Sequence, residues 1–190
     1  MSTAAEKIKL SELEYLESEK TAEFKNEYLQ GEIWAMAGAS DNHVTIAMNL
    51  AFLLKQQLKG NPCRSYISDM KVKIELANAF FYPDVFVSCD PRDQEQDFNY
   101  YKERPVFIAE VLSPSTEAYD RGDKFKYYQL LPGLQEYWLI DAQKMTLDCF
   151  TRADDNAWTL HSYSSPQDQA SIVALNLTIQ LDQLYVDTNI

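Results

Sequence analysis

Polar and apolar positions along the chain switch between two periods. Residues 8–20 place Leu10, Leu13 and Leu16 at helical spacing, which predicts a short helix. Asn26 to Met36 reads as a hairpin turning at Gln30-Gly31. A loop from Gly38 follows, with Ser40 or Asp41 as an N-cap, and then Ile46, Leu50, Leu53, Leu54 and Leu58 form one long apolar stripe. Gly60 stands where that helix should stop. The period then drops to two. Strands are expected near residues 65–76, 80–88 and 105–112. In the first, Val72, Ile74 and Leu76 alternate with Lys71, Lys73 and Glu75, so one face should be buried and the other charged. The other two are apolar on both sides, as central strands are. Residues 123–131 suit a second helix ended by Pro132-Gly133, and residues 135–141 return as a strand. The segments 147–152, 158–164 and 175–181 predict further antiparallel strands, with a turn at Asp154-Asp155-Asn156. The fold class is therefore α/β: a mixed β-sheet flanked by helices, with extra antiparallel strands at the C-terminal end. No repeat or linker divides residues 1–190, so one domain is expected.

Two carboxylates break the apolar pattern, Asp84 and Glu110, one in each central strand. A strand interior rarely holds an ionised group unless it is paired or binds a metal. Mg²⁺ takes oxygen ligands and keeps several waters beside one or two carboxylates, so Asp84, Glu110 and a backbone carbonyl such as that of Val111 could hold it. Such a cation polarises a phosphate and acidifies a bound water. Lys124 follows within a loop and one helical turn, with Asp120 and Asp123 near enough in sequence to orient it. Its ammonium could position the water and stabilise charge on phosphorus. Lys126, two residues on, would point to another helix face. Each residue also has a plainer explanation. Asp84 could be a strand-entry residue, Glu110 half of a structural ion pair, and Lys124 a solvated lysine. Glu27 could reach the metal or its water from the first hairpin. His43, in the first turn of the long helix, could serve as a base or as a cap.

These residues resemble a known family. Pro83-Asp84, Glu110-Val111-Leu112-Ser113-Pro114-Ser115-Thr116, Asp120-Arg121-Gly122-Asp123-Lys124 and Glu136-Tyr137-Trp138 match the pattern of a restriction-endonuclease-like family abundant in cyanobacteria, within the PD-(D/E)XK nuclease superfamily. Glu27 to Ile33, Met36-Ala37-Gly38 and His43 match it as well. The resemblance implies a restriction-endonuclease-like core and a Mg²⁺-dependent site, with Mn²⁺ as a substitute, at Asp84 and Glu110. It also implies DNA as the substrate. Leu112 stands where the superfamily's name-giving lysine would be, and the family pattern moves that lysine to the following helix, here Lys124. Two other functions stay open: a non-catalytic relative serving as a binding or regulatory module, and a phosphoesterase acting on a small nucleotide.

Composition changes the picture in three ways. The formal net charge is −12, against the basic face usual in non-specific DNA binders. Between His43 and Leu76, however, Lys55, Lys59, Arg64, Lys71 and Lys73 outnumber Asp69 and Glu75, which predicts a local basic surface. The three cysteines, Cys63, Cys89 and Cys149, form no CxxC pair and are expected to be reduced, mostly buried thiols. No apolar run approaches the roughly 20 residues that span a bilayer, and the polar, acidic start has no signal-peptide character, so a cytoplasmic protein is expected. One catalytic site per chain suggests a homodimer if both strands of a duplex are cut.

Overall fold

Helix α1 (Glu12–Glu19) starts at a capping box in which the Ser11 and Glu14 side chains each accept the other's backbone N–H. The computed structural model describes residues 9–190, so residue 8 of the expected helix and the polar start before it lie outside the described residues. Tyr15 is the buried anchor of α1, whereas Leu13 of the expected leucine stripe is exposed. Tyr15 wins that place because its ring packs on Tyr28 and Phe80 while its hydroxyl donates to the Asn26 carbonyl at 2.7 Å.

The hairpin forms as expected from β1 (Asn26–Leu29) and β2 (Glu32–Ala35). Gln30 and Gly31 take φ values of 52° and 95°, as a two-residue turn of this hand demands. Helix α2 (Asp41–Gln57) buries Ile46, Leu50 and Leu54, with the Ser40 side chain accepting the His43 N–H at its start.

Each of the next two expected strands is broken, and its halves serve different sheets. Residues 65–76 give β3 (Arg64–Ile67) and β4 (Lys71–Ile74); residues 80–88 give β5 (Ala79–Phe81) and β6 (Val85–Ser88). Pro83, which has no N–H for a ladder, stands at the second break. β4 also corrects the alternation read from sequence. Lys71 and Lys73 are buried and Leu76 is exposed. The ammonium groups lie over aromatic rings, Lys71 over Tyr82 and Lys73 over Phe80 and Tyr101, and that of Lys73 also reaches Glu12 and Glu75. The basic surface expected here therefore shrinks to Lys55, Lys59 and Arg64, which remain exposed.

The chain continues through β7 (Tyr101–Lys102) and the long β8 (Pro105–Leu112). Helical turns α3 (Glu117–Tyr119) and α4 (Phe125–Tyr128) flank a π-helical turn, Asp120–Lys124, so helix begins earlier than residue 123. Then come β9 (Glu136–Asp141), β10 (Leu147–Arg152), β11 (Trp158–Tyr163), β12 (Gln169–Ile172), β13 (Leu177–Gln180) and α5 (Leu181–Leu184). Among the described residues these form three sheets: a mixed sheet ordered β2-β1-β5-β4-β7, a mixed sheet ordered β11-β10-β9-β8-β6-β3, and the small antiparallel hairpin β12-β13. The helical turns form the crossover between the parallel strands β8 and β9. One core packs α2 and α5 on the six-stranded sheet through Ile46, Leu50, Val85, Val111, Trp138 and Leu184. The other packs Phe125 and Tyr128 against Phe81, Ile108, Leu112 and Tyr137.

Cys63 and Cys89 are joined by a disulfide, which corrects their expected reduced state; Cys149 is free and buried as expected. The antiparallel β3–β6 register pairs Arg64 with Ser88, so the residues one step outward, 26 apart in sequence, lie side by side.

Candidate active site

The site forms where the two mixed sheets meet. Register pairs Val85 with Ala109, which brings Asp84, just before β6, opposite Glu110 on β8. The Asp84 backbone N–H donates to Glu110 Oε2 at 3.1 Å, and the Val111 N–H donates to Asp84 Oδ2 at 2.8 Å. The two carboxylates are thus held by each other's strand. His43, in the first turn of α2, places Nε2 2.9 Å from Asp84 Oδ1. With the proton of that ring nitrogen directed at the carboxylate, His43 Nδ1 is a buried acceptor that bonds no protein group among the described residues. The capping of α2 falls to Ser40, which frees the histidine side chain for this contact.

Lys124 approaches from the crossover. Its Nζ lies 2.9 Å from Glu110 Oε1, 3.0 Å from Glu27 Oε1 and 3.7 Å from Asp120 Oδ1. The π-helical turn that carries Asp120 and Lys124 is a form that often marks functional sites. Asp123 does not orient Lys124; it pairs with the exposed Lys126, which points away from the cluster. Glu27 also accepts the Tyr82 N–H at 3.2 Å. All five side chains singled out from the sequence, Glu27, His43, Asp84, Glu110 and Lys124, therefore converge, and Val111 joins them through its backbone N–H.

One participant was not singled out, Tyr128, and Asp120, expected to orient Lys124, is also an acid of the cluster in its own right. Tyr128 donates its hydroxyl to Glu110 Oε1 at 2.8 Å, and the Asp120 carboxylate is a buried fourth acid of the cluster. Tyr128 stands four residues after Lys124, and that spacing puts both on one helix face.

Four carboxylates, Glu27, Asp84, Glu110 and Asp120, face one ammonium here. Burial, against the pull of the Lys124 ammonium and with the added push of the Asp84 and Asp120 charges, leaves the Glu110 carboxyl raised to about 8. Burial likewise raises Asp120, against Lys124. Burial alone would lower Lys124, but Glu110, Tyr128, Glu27 and Asp120 together outweigh it and hold the ammonium well above its ordinary pKa. Among the described residues no three His, Cys, Asp or Glu side chains form a ready-made metal cage. The donor set nonetheless fits a hard divalent cation. The carboxylates outnumber the cations, and Asp84 Oδ1 and Glu110 Oε2 each hold a single hydrogen bond, so a lone pair remains on each. Surface grooves on α2 and β3, lined by Met48, Phe52, Lys55 and Ser65, contain none of these residues.

Residues 12–183 match the Uma2 family, described as "Putative restriction endonuclease". An uncharacterized protein of Synechocystis sp., slr1290, is 39% identical over 178 residues, covering 93% of this chain and 92% of its own. A second from the same organism, sll1609, is 37% identical over 160 residues, 84% of this chain and 90% of its own. The fold matches a crystal structure from Anabaena variabilis, described as a putative nuclease belonging to DUF820. The TM-score is 0.75 at 17% identity, over 93% of this chain and 97% of that one. The mixed α/β architecture expected from the sequence is the architecture of that protein. No helix among the described residues is long and apolar enough to cross a membrane.

Proposed function

The chain belongs to the Uma2 family, and from that premise we propose that it is a metal-dependent endonuclease hydrolysing phosphodiester bonds in DNA. The single observation that supports this most is the meeting of Asp84 and Glu110, the lone acids of two apolar runs, beside one buried ammonium. Asp84 and Glu110 would hold a Mg²⁺ or Mn²⁺ ion, with the Val111 carbonyl as a further oxygen. When bound, that ion supplies polarisation of the scissile phosphate and a more acidic water. Lys124 holds positive charge at the cluster and is placed to stabilise the charge that develops on phosphorus, a role worth roughly 10²–10³-fold for one preorganised donor. His43 orients the Asp84 carboxylate through Nε2 and leaves Nδ1 free to accept a proton. Glu27 bonds the Lys124 ammonium alongside Glu110 and so helps to fix it. One chain carries one such site, so cutting both strands of a duplex would take two copies.

A second reading is favoured by one feature: Glu110 Oε1 already holds both Lys124 and Tyr128, as a purely structural ion pair would. That is the arrangement expected of a binding module that has kept the fold without the activity. Cleavage of several DNA forms in Mg²⁺ and in Mn²⁺, wild type beside Asp84→Ala, separates the two. Metal-dependent cleavage and calorimetric metal binding that vanish together in Asp84→Ala support the nuclease. A wild type inert on long DNA and on dinucleotides alike, with no metal bound, leaves the binding module.

A further inference from the structure

Glu27 belongs to a row of side chains that crosses the five-stranded sheet. Val72 pairs with Phe81 between β4 and β5, and Tyr28 pairs with Phe80 between β5 and β1, which sets Glu27 beside Phe81. Glu27 pairs in turn with Trp34 on β2. Directly opposed residues of an antiparallel pair share a face, with Cβ atoms about 4.5–5.5 Å apart. The inner part of this row is covered: the Phe81 ring packs on Tyr127 and Tyr128, and the Lys124 ammonium lies 5.8 Å from its centroid. The outer part is not. Trp34 stands on the edge strand β2 and is 46% exposed, next to a carboxylate that bonds Lys124 at 3.0 Å. Tyr119, in the turn that leads to Lys124, is 37% exposed. Tyr119 directly precedes Asp120, whose Oδ1 lies 3.7 Å from the Lys124 ammonium. Two exposed aromatic side chains thus adjoin acids of the cluster, Trp34 beside Glu27 across the β1–β2 pair and Tyr119 next to Asp120 in the chain.

The cations argue in the same direction. A duplex-binding surface works by neutralising many phosphates. Here Lys71, Lys73, Lys102 and Lys124 are all buried, the exposed Lys55, Lys59 and Arg64 lie on α2, just after it and on β3, and the chain carries a net charge of −12. Stacking on an aromatic ring needs no cation, but it needs a base whose face is free, and a base within a duplex offers only its edges.

We propose that Trp34 and Tyr119 form a stacking platform for an unpaired nucleobase at the entrance of the carboxylate site, so that DNA is engaged as a single strand. This rests on the nuclease reading above. The test is fluorescence anisotropy with a labelled single-stranded oligonucleotide and its duplex, using the full chain in Ca²⁺ so that binding is measured apart from cleavage. Wild type should bind the single strand more tightly than the duplex. Trp34→Ala and Tyr119→Ala should each weaken single-strand binding by roughly 5- to 150-fold, the range for one stacked base. Trp34→Phe should retain most of the affinity, and Leu76→Ala, an exposed apolar residue outside this row, should match wild type. Thermal unfolding of each variant confirms that it is folded. Trp34→Ala binding as wild type does, tighter wild-type binding to the duplex, or no binding of either form overturns the proposal. Cleavage of either form, scored separately against Asp84→Ala, decides the nuclease reading. Stacking without cleavage would keep the platform and discard the nuclease, and cleavage that ignores Trp34 would do the reverse.

Discussion

Lys73 and Lys124 each gather three carboxylates, in opposite surroundings. Lys73 meets Glu12, Glu75 and Glu103 at 2.8, 2.6 and 3.8 Å, and those acids are 36%, 74% and 24% exposed. Lys124 meets Glu110, Glu27 and Asp120 at 2.9, 3.0 and 3.7 Å, and those acids are 4%, 14% and 6% exposed. The charges are the same and the distances nearly so. Water reaches the acids around Lys73 and screens them, so the group acts as a surface clamp between α1, β4 and the segment before β8. Around Lys124 the acids are dry, Asp84 adds a further negative charge, and burial drives the Glu110 and Asp120 carboxyls upward. Exposure, rather than composition, separates a cluster that ties elements together from one poised to accept a cation.

The largest expected contrast comes from removing each ammonium in turn. Lys124→Met leaves buried acids uncompensated and should cost about 3–5 kcal/mol of stability, read from urea unfolding. Lys73→Met should cost roughly 1 kcal/mol or less. Below its unfolding range, the Lys124 variant should also lose roughly 10²–10³-fold in DNA turnover if the lysine acts as proposed. Lys126→Ala, on an exposed pair with Asp123, should change neither property. Equal losses at Lys73 and Lys124 would break the contrast.

A pH series sharpens it. With its carboxyl pushed up to about 8, chiefly by burial, Glu110 should keep its proton in the folded chain over a range where the unfolded chain, near the ordinary 4.5, has released it. Between these values the folded state binds the extra proton, so this contribution to stability is full at the acid end and is lost as pH rises. Thermal unfolding in a chelator should show that decline in wild type relative to Glu110→Gln. A difference between the two that stays constant from pH 4.5 to 8 would mean that burial does not hold the proton.

A smaller effect on the Lys124 cluster should come from Tyr128→Phe, which removes the hydroxyl bonded to Glu110 Oε1. Because Lys124 still serves that oxygen, the cost should be near the low end of roughly 1–3 kcal/mol. Loss of a donor to the charged form should move the Glu110 window to higher pH in the same unfolding series. A window that moves to lower pH would show that the hydroxyl does not stabilise the carboxylate.

Much of the architecture was legible in local pattern. The stripe from Ile46 to Leu58 marks α2, Gln30-Gly31 marks the hairpin, and a single acid in each of two apolar runs marks Asp84 and Glu110. These signals are local because helix and strand periods, turn dihedrals and the cost of burying a charge act over a few residues. Four features needed the assembled chain. Lys71 and Lys73 are buried because rings from other strands cover them. Cys63 meets Cys89 through the β3–β6 register. Tyr128 reaches Glu110 because the crossover lays its helical turn over β8. Trp34 flanks the site because β2 pairs with the strand that carries Glu27. Local composition determined which residues carry chemistry and which elements hold them. Strand register and the path of the crossover, set by packing between distant segments, decided which of those residues meet and which of them stay dry.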